Sequence, residues 1–89
     1  MAKIENEFTD YINQYGFDKE AYAFDSSVIK FATYNDCWIL RIRFTSGKDY
    51  TYDDVPPEVW EEFVEAESQG KYFNEHIRGE YSFVCEYAA

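Results

Sequence analysis

Two tyrosines and two arginines form the group of residues in this sequence with the clearest rationale for binding chemistry. Tyr50 and Tyr52 are two residues apart in a stretch with strand character, so both rings should project from one face of a β-strand. Arg41 and Arg43 have the same spacing in the preceding strand pattern. Bases stack on aromatic rings and guanidinium groups bind phosphates, so a sheet face that carries both could hold single-stranded RNA. The alternative is structural: both tyrosines pack beneath a helix.

Two further cations complete the predicted nucleic-acid site, but the charge of the whole chain opposes it. Lys48 lies between the two strand patterns, and Arg78 lies at the end of a short predicted helix. The formal net charge is −10 in 89 residues, which disfavours non-specific binding to phosphates. Residues 26–55 carry four basic and four acidic residues, whereas the segments on both sides have an acidic excess. The middle third is therefore the only segment without an acidic excess.

The acidic residues indicate a second function of a different class. After Pro57 the apolar residues Val59, Trp60 and Phe63 have helical spacing. The other side of this predicted helix carries glutamates, namely Glu58, Glu61, Glu62 and Glu65. A basic protein could dock on that side, and a phage or host regulatory protein that mimics nucleic-acid charge is the sharper form of this hypothesis. The remaining alternative is that the charge only keeps the chain soluble.

Catalytic and metal-binding patterns are weak in this sequence. His76 is the single histidine, and it lies beside apolar residues of the short predicted helix. Cys37 and Cys85 are too far from it and from each other to resemble a zinc motif. The glycines are isolated and form no phosphate-binding loop. We therefore expect a non-enzymatic protein without metal or cofactor.

The elements that must position these residues begin with a predicted N-terminal helix at about residues 3–15. Its apolar stripe is formed by Ile4, Phe8, Tyr11, Ile12 and Tyr15. Residues 17–25 have no clear period and are interpreted as a connector. We treat residues 1–25 as one unit, helix plus connector, and residues 26–89 as the domain proper, within a single compact protein.

Three strand patterns follow, and they predict an antiparallel meander. Residues 28–34 form the first, and residues 37–45 alternate with one face predicted as core. That face is formed by Trp38, Leu40, Ile42 and Phe44. Gly47 suits the turn into the tyrosine strand.

Two predicted helices pack on one face of this sheet. Pro56 and Pro57 end strand pairing and predict the start of the first helix. A second short helix is predicted at about residues 71–78, and alternation from Tyr81 to Tyr87 offers a fourth strand. The fold class is therefore α+β. No apolar run approaches the ~18 residues of a membrane span and the start of the chain lacks a signal-peptide pattern, so we expect a cytoplasmic protein.

A long set of residues at fixed spacing resembles the KTSC domain. The strand part of the resemblance runs Ser26-Ser27-x-Ile29, Tyr34-Asn35, Leu40-x-Ile42-x-Phe44-x-x-Gly47-x-x-Tyr50-x-Tyr52-x-x-Val55-Pro56. The helical part contains Trp60, Phe63, Ala66, Ser68, Gly70, Tyr72-Phe73-Asn74 and Ile77-Arg78. The resemblance covers about residues 26–83. It implies a small domain similar to a tail of some lysyl-tRNA synthetases, for which a role in binding RNA has been suggested.

Overall fold

The computed structural model of the protein describes Thr9 and residues 20–87. The helix predicted at about residues 3–15, apart from Thr9, and the first part of the predicted connector lie outside the described residues. The described elements, in chain order, are β1 (Glu20–Ala23), β2 (Ile29–Tyr34), β3 (Leu40–Phe44), β4 (Lys48–Tyr52), α1 (Pro57–Glu65), α2 (Gln69–Tyr72), a π-helical turn that continues α2 (Phe73–Ile77), and β5 (Phe83–Tyr87).

One antiparallel sheet contains the five described strands, in the order β1-β2-β3-β4-β5. The predicted α+β class is confirmed, and the C-terminal strand is present as β5. The predicted three-stranded meander with a fourth strand is wrong in its count, because part of the predicted connector forms β1. Ala21 and Ala23 of this strand pair with Thr33 and Phe31. Alanines give little contrast between an apolar and a polar face, so the alternation in β1 could not be recognised.

The β2–β3 turn places Trp38 in solvent, although the sequence predicts it on the core face beside Leu40. The side-chain Oδ1 of Asn35 accepts hydrogen bonds from the backbone N–H groups of Cys37, at 2.9 Å, and Ile39, at 3.1 Å. Within this turn Trp38 adopts a positive φ of 64° and does not belong to a strand. Alternation therefore starts only at Leu40, which is fully buried, whereas Trp38 is 45% exposed.

The helices pack on one face of the sheet, which we call the helix face. Tyr34 of β2 and Trp60 of α1 stack with ring centroids 5.2 Å apart. Phe73 in the π-helical turn contacts Phe44 of β3 edge to face at 5.1 Å. The first helix starts at Pro57, as the sequence predicts. The buried core between sheet and helices consists of Ile29, Ala32, Tyr34, Leu40, Ile42, Tyr52, Val55, Trp60, Phe63, Phe73 and Ile77.

The strand register assigns the other residues to the opposite surface, which we call the back face. Directly opposed residues of antiparallel strands point to the same side of a sheet. Thr33 is opposite Arg41, Arg41 is opposite Thr51, and Thr51 is opposite Val84. The back face includes Ala21, Ala23, Phe31, Thr33, Arg41, Arg43, Asp49, Thr51 and Val84.

We expect that Trp60→Ala destabilises the protein by about 3–5 kcal/mol, because it removes a large buried ring from a thin core. Trp60 is 2% exposed, and its indole Nε1 also donates a hydrogen bond to Glu20 Oε1 at 2.9 Å. The matched control is Glu61→Ala on the exposed side of α1, which should change stability by less than about 0.5 kcal/mol. Urea unfolding followed by circular dichroism measures both. Equal midpoints for the two variants would show that α1 does not pack on the sheet through Trp60.

Candidate functional site

The sheet register separates the two tyrosines from the two arginines. Tyr52 is opposite Leu40 and Tyr50 is opposite Ile42, so both tyrosines lie on the helix face. Arg41 is opposite Thr51 and Arg43 is opposite Asp49, on the back face. The predicted single sheet face that carries both tyrosines and arginines is therefore wrong. The physical reason is that alternation shows which residues of one strand share a side, but not how two strands are aligned.

Arg43 is a buried structural residue. Its guanidinium binds the Asp49 carboxylate through two hydrogen bonds, Nε to Oδ1 at 2.7 Å and Nη2 to Oδ2 at 2.8 Å. Arg43 is 7% exposed and Asp49 is 2% exposed. This bidentate geometry satisfies both charges away from water. Arg41 is half-buried on the same face, so the sheet separates its side chain from the two tyrosines.

The two tyrosines differ in accessibility. Tyr52 is 2% exposed and belongs to the core, so the structural alternative is the correct description of its ring. Burial raises the pKa of its hydroxyl above the ordinary value of a tyrosine, while the positive charge of Arg78 opposes this shift. Tyr50 is half-buried, and its ring stacks on that of Tyr52 with centroids 6.1 Å apart. Tyr50 can therefore present part of its ring to a ligand.

A cleft of about 630 Å³ opens beside Tyr50 at the edge of the helix face. One part of its wall is aromatic: Phe83 of β5 stacks on Tyr50 at 5.3 Å and Phe44 meets Tyr50 edge to face at 5.1 Å. Phe83 is 52% exposed, so its ring is accessible. The lining residues are Ser27, Val28, Phe44, Thr45, Ser46, Lys48, Tyr50, Tyr52, Phe73, Asn74, Arg78, Gly79 and Phe83.

The described lining of the cleft is basic, although the protein as a whole is acidic. It contains Lys48 and Arg78, and no aspartate or glutamate is among the described lining residues. Lys48 comes from the first position of β4. Arg78 is placed by the end of the π-helical turn, where its backbone N–H donates to the carbonyl of Phe73 at 2.8 Å, and Gly79 follows with a φ of 82°. Four of the six predicted nucleic-acid-binding residues, the two tyrosines and these two cations, thus line one concave surface.

The sequence did not predict the other walls of the cleft. Phe83 was expected in a strand, yet its contact with Tyr50 depends on pairing between β4 and β5, which are separated by both helices. Asn74 comes from the π-helical turn, where its Oδ1 lies 3.5 Å from Nη1 of Arg78. Both Asn74 and Phe83 lie within the resemblance described above, which contains Tyr72-Phe73-Asn74 and extends to about residue 83. The spacing of that resemblance is the signal that could have identified them.

The other predicted sites are dispersed over the surface. Glu58, Glu61, Glu62 and Glu65 are all exposed on α1, and Glu62 accepts a hydrogen bond from the Tyr72 hydroxyl at 2.7 Å. Burial, together with that hydrogen bond, raises the pKa of Tyr72. Among the residues that the structure describes, no group of three or more His, Cys, Asp and Glu side chains is arranged to hold a metal ion. No helix in the same part of the chain is long and apolar enough to cross a membrane.

We expect that Asp49→Ala lowers the free energy of unfolding by about 3–5 kcal/mol, because the buried Arg43 guanidinium loses its carboxylate partner. Asp53→Ala is the matched control, since Asp53 follows the same strand and is exposed. Its effect should stay within about 0.5 kcal/mol. Urea unfolding at constant pH measures both variants. If Asp49→Ala unfolds like the control, Arg43 is accessible in solution and is again a candidate for ligand binding.

Comparisons with known proteins identify relatives of this chain. The KTSC domain family model matches residues 25–81. A protein of Tsukamurella paurometabola is 39% identical over 62 residues, which are 68% of this chain and 92% of that protein. A lysine–tRNA ligase of Nostoc punctiforme is 42% identical over 60 residues, which are 66% of this chain and 11% of that enzyme.

A solved structure supports the same relationship. The crystal structure of a KTSC domain protein from Yersinia pestis matches with a TM-score of 0.69 and 28% sequence identity, covering 79% of this chain and 97% of that chain. The family match contains β2, β3, β4, both helices and all cleft residues except Phe83. The chain belongs to the KTSC domain family.

Proposed function

We propose that this protein is a non-enzymatic binding module that holds single-stranded RNA, or a single-stranded part of tRNA, in the aromatic cleft. One observation carries the proposal: in a chain with a net charge of −10, the described residues that line the cleft include two cations and no carboxylate. The similarity to part of a lysine–tRNA ligase supports RNA as the ligand class.

The geometry of the cleft suits one nucleotide better than an extended strand. A base can stack on the exposed ring of Phe83 and the accessible part of Tyr50, whose rings are already parallel within 26°. The phosphate then meets Lys48 and Arg78, which approach from β4 and from the π-helical turn. Asn74 adds an amide that can form hydrogen bonds with a base edge. The roles predicted from the sequence for Tyr50, Lys48 and Arg78 are retained in this proposal, whereas Tyr52 belongs to the core and Arg41 and Arg43 lie on the back face.

The acidic remainder of the chain should keep binding weak and local. Each phosphate contact on a single strand contributes about −0.7 to the slope of log K against log salt, so two cations give about −1.4. Repulsion from the other acidic residues disfavours contacts outside the cleft. Binding should therefore be measured at low salt.

Phe83→Ala should weaken binding of a fluorescein-labelled single-stranded RNA at least about fivefold, because stacking contributes about 1–3 kcal/mol per base. The control is Val84→Ala at the neighbouring position of the same strand. Val84 is 57% exposed and lies on the back face, so its substitution should leave the affinity unchanged. Fluorescence anisotropy measures affinity, and circular dichroism confirms that both variants are folded. Equal losses for both variants would exclude stacking on the cleft face.

Arg78→Gln should weaken binding of the same RNA and make the salt slope shallower by about 0.7, because one phosphate contact is lost. Lys71→Gln removes an equal charge from an exposed site outside the cleft and should change neither quantity. Anisotropy titrations at several salt concentrations provide both numbers. If the parent protein shows no binding at high micromolar concentration in low salt, the RNA proposal is wrong.

The exposure of four glutamates on α1 supports a second candidate function, docking of a basic protein partner. Glu58, Glu61, Glu62 and Glu65 are all accessible on one helix. Opposite charges accelerate such an association and make it sensitive to salt. This function is favoured over the first if the parent protein binds no RNA but associates with a basic polypeptide, and if that association is weakened by Glu61→Gln with Glu65→Gln.

A further inference from the structure

Strand β5 forms one edge of the described sheet and has exposed apolar residues on both of its sides. Phe83, on the helix face, is 52% exposed, and Val84, on the back face, is 57% exposed. Cys85 is exposed as well. An edge strand presents backbone N–H and C=O groups that can pair with a further strand, and exposed apolar side chains make such pairing more favourable. Residues 83–85 therefore have the properties of a pairing surface.

The hydrogen-bond pattern shows which backbone groups of β5 point away from β4. The backbone N–H of Asp53 donates to the carbonyl of Ser82 at 3.0 Å, and these two residues continue the β4–β5 register by one pair. Hydrogen-bonded pairs alternate with non-hydrogen-bonded pairs along antiparallel strands. The backbone groups of Phe83, Cys85 and Tyr87 therefore point to the outer edge, and no described strand pairs with that side.

We infer that two copies of this chain associate by antiparallel pairing of their β5 strands. A register centred on Cys85 aligns the whole of β5, with Phe83 opposite Tyr87 of the second copy and Cys85 opposite its own counterpart. Each pair formed by outward-pointing residues then exchanges two backbone hydrogen bonds. Registers shifted along the strand leave part of β5 unpaired, so the centred register is the most favourable.

The composition of this edge favours a second copy over a basic protein or RNA. Residues 83–85 carry no charge, in a chain with a net charge of −10. A basic protein therefore meets no carboxylate at these three residues, and RNA meets no cation. The centred register instead places Phe83 opposite Tyr87 of the second copy, and aromatic residues at opposed positions stabilise antiparallel sheets. The edge is thus complementary to itself.

The size and charge of the contact predict a weak, reversible dimer. A strand of this length extends over roughly 17 Å, and a sheet layer is about 10 Å thick. Such a contact buries on the order of several hundred Å² over both copies, below the roughly 1,200 Å² of a stable interface. The net charge of each copy also opposes association, and salt screens this repulsion. The dimer should therefore tighten as salt rises, whereas RNA binding in the cleft should weaken.

Pairing through β5 places the two clefts on one surface. The two-fold axis that relates two antiparallel edge strands is perpendicular to the sheet, so the helix faces of both copies lie on the same side. The two Phe83 residues are then four positions apart along the strand direction, roughly 13 Å. The inference does not rest on the proposed RNA binding, because the association is measured without RNA.

Substitution of Cys85 tests the pairing at its centre in the full chain. Cys85→Pro removes an outward N–H that is not part of the β4–β5 ladder, and proline is tolerated in edge strands at such positions. Cys85→Ala is the matched control, because it retains that N–H. Sedimentation equilibrium in a reducing buffer should give similar dimer Kd values for the parent and Cys85→Ala, and a Kd at least about tenfold higher for Cys85→Pro.

Circular dichroism confirms that both variants are folded, and the salt dependence of the parent adds a second criterion. Equal Kd values for Cys85→Pro and Cys85→Ala would overturn the inference. A parent protein that remains monomeric at about 1 mM in high salt would do the same, since even weak interfaces associate there. So would a dimer that loosens as salt rises, because its interface would then join opposite charges.

Amide hydrogen exchange in the unaltered protein provides a test that does not depend on the folding of a variant. The N–H groups of Phe83, Cys85 and Tyr87 should exchange at least about twofold more slowly once half of the chains are dimers, because the second copy supplies their acceptors. The N–H groups of Val84 and Glu86 point to β4 and should change far less. Exchange at the three outward positions that does not depend on protein concentration would overturn the inference.

Discussion

The register of the β3–β4 hairpin determines where the candidate functional side chains lie. Gly47, at a φ of 97°, closes the turn with a hydrogen bond from its N–H to the carbonyl of Phe44 at 2.9 Å. This turn fixes Arg43 opposite Asp49 and Ile42 opposite Tyr50. A shift of one residue would move the tyrosines to the back face and place a carboxylate in the core. The buried ion pair and the aromatic core therefore stabilise the same register from opposite sides of the sheet.

The sorting of residues by this hairpin explains how an acidic protein can hold a basic cleft. Charges in β3 are confined to the back face, so the helix face remains apolar up to its edge. The two cations of the cleft come from outside β3. Lys48 is the first residue of β4, and Arg78 follows the π-helical turn. Aromatic rings also line the cleft, and the glutamates of α1 are exposed.

Sequence reasoning succeeded where a local pattern determined the structure. The alternation from Leu40 to Phe44 predicted β3, and Pro57 predicted the start of α1, with Trp60 buried beneath it. It failed for Trp38, because two hydrogen bonds accepted by the Asn35 side chain extend the turn, so the alternation starts at Leu40, two residues later than predicted. It also failed for the combined tyrosine and arginine face, because the alignment of two strands depends on the turn between them. The spacing within each strand could not show that Arg41 and Arg43 lie on the face opposite to the tyrosines. The cleft wall formed by Phe83 could not be predicted either, because it depends on a pairing between distant parts of the chain.

The strand order has a consequence for the order in which the protein folds. Strands β1 to β4 pair with their neighbours in the chain, so these hairpins close short loops at small entropic cost. The pairing of β4 with β5 instead closes a loop that contains both helices. Long-range pairings of this kind form slowly. We therefore expect β5 to join a sheet that is already assembled and, as an edge strand, to separate from it first in local opening. Because β5 supplies Phe83, we expect the cleft to be the last part of this domain to form. The fraction of molecules with an intact cleft then depends on the local stability of one edge strand rather than on that of the core.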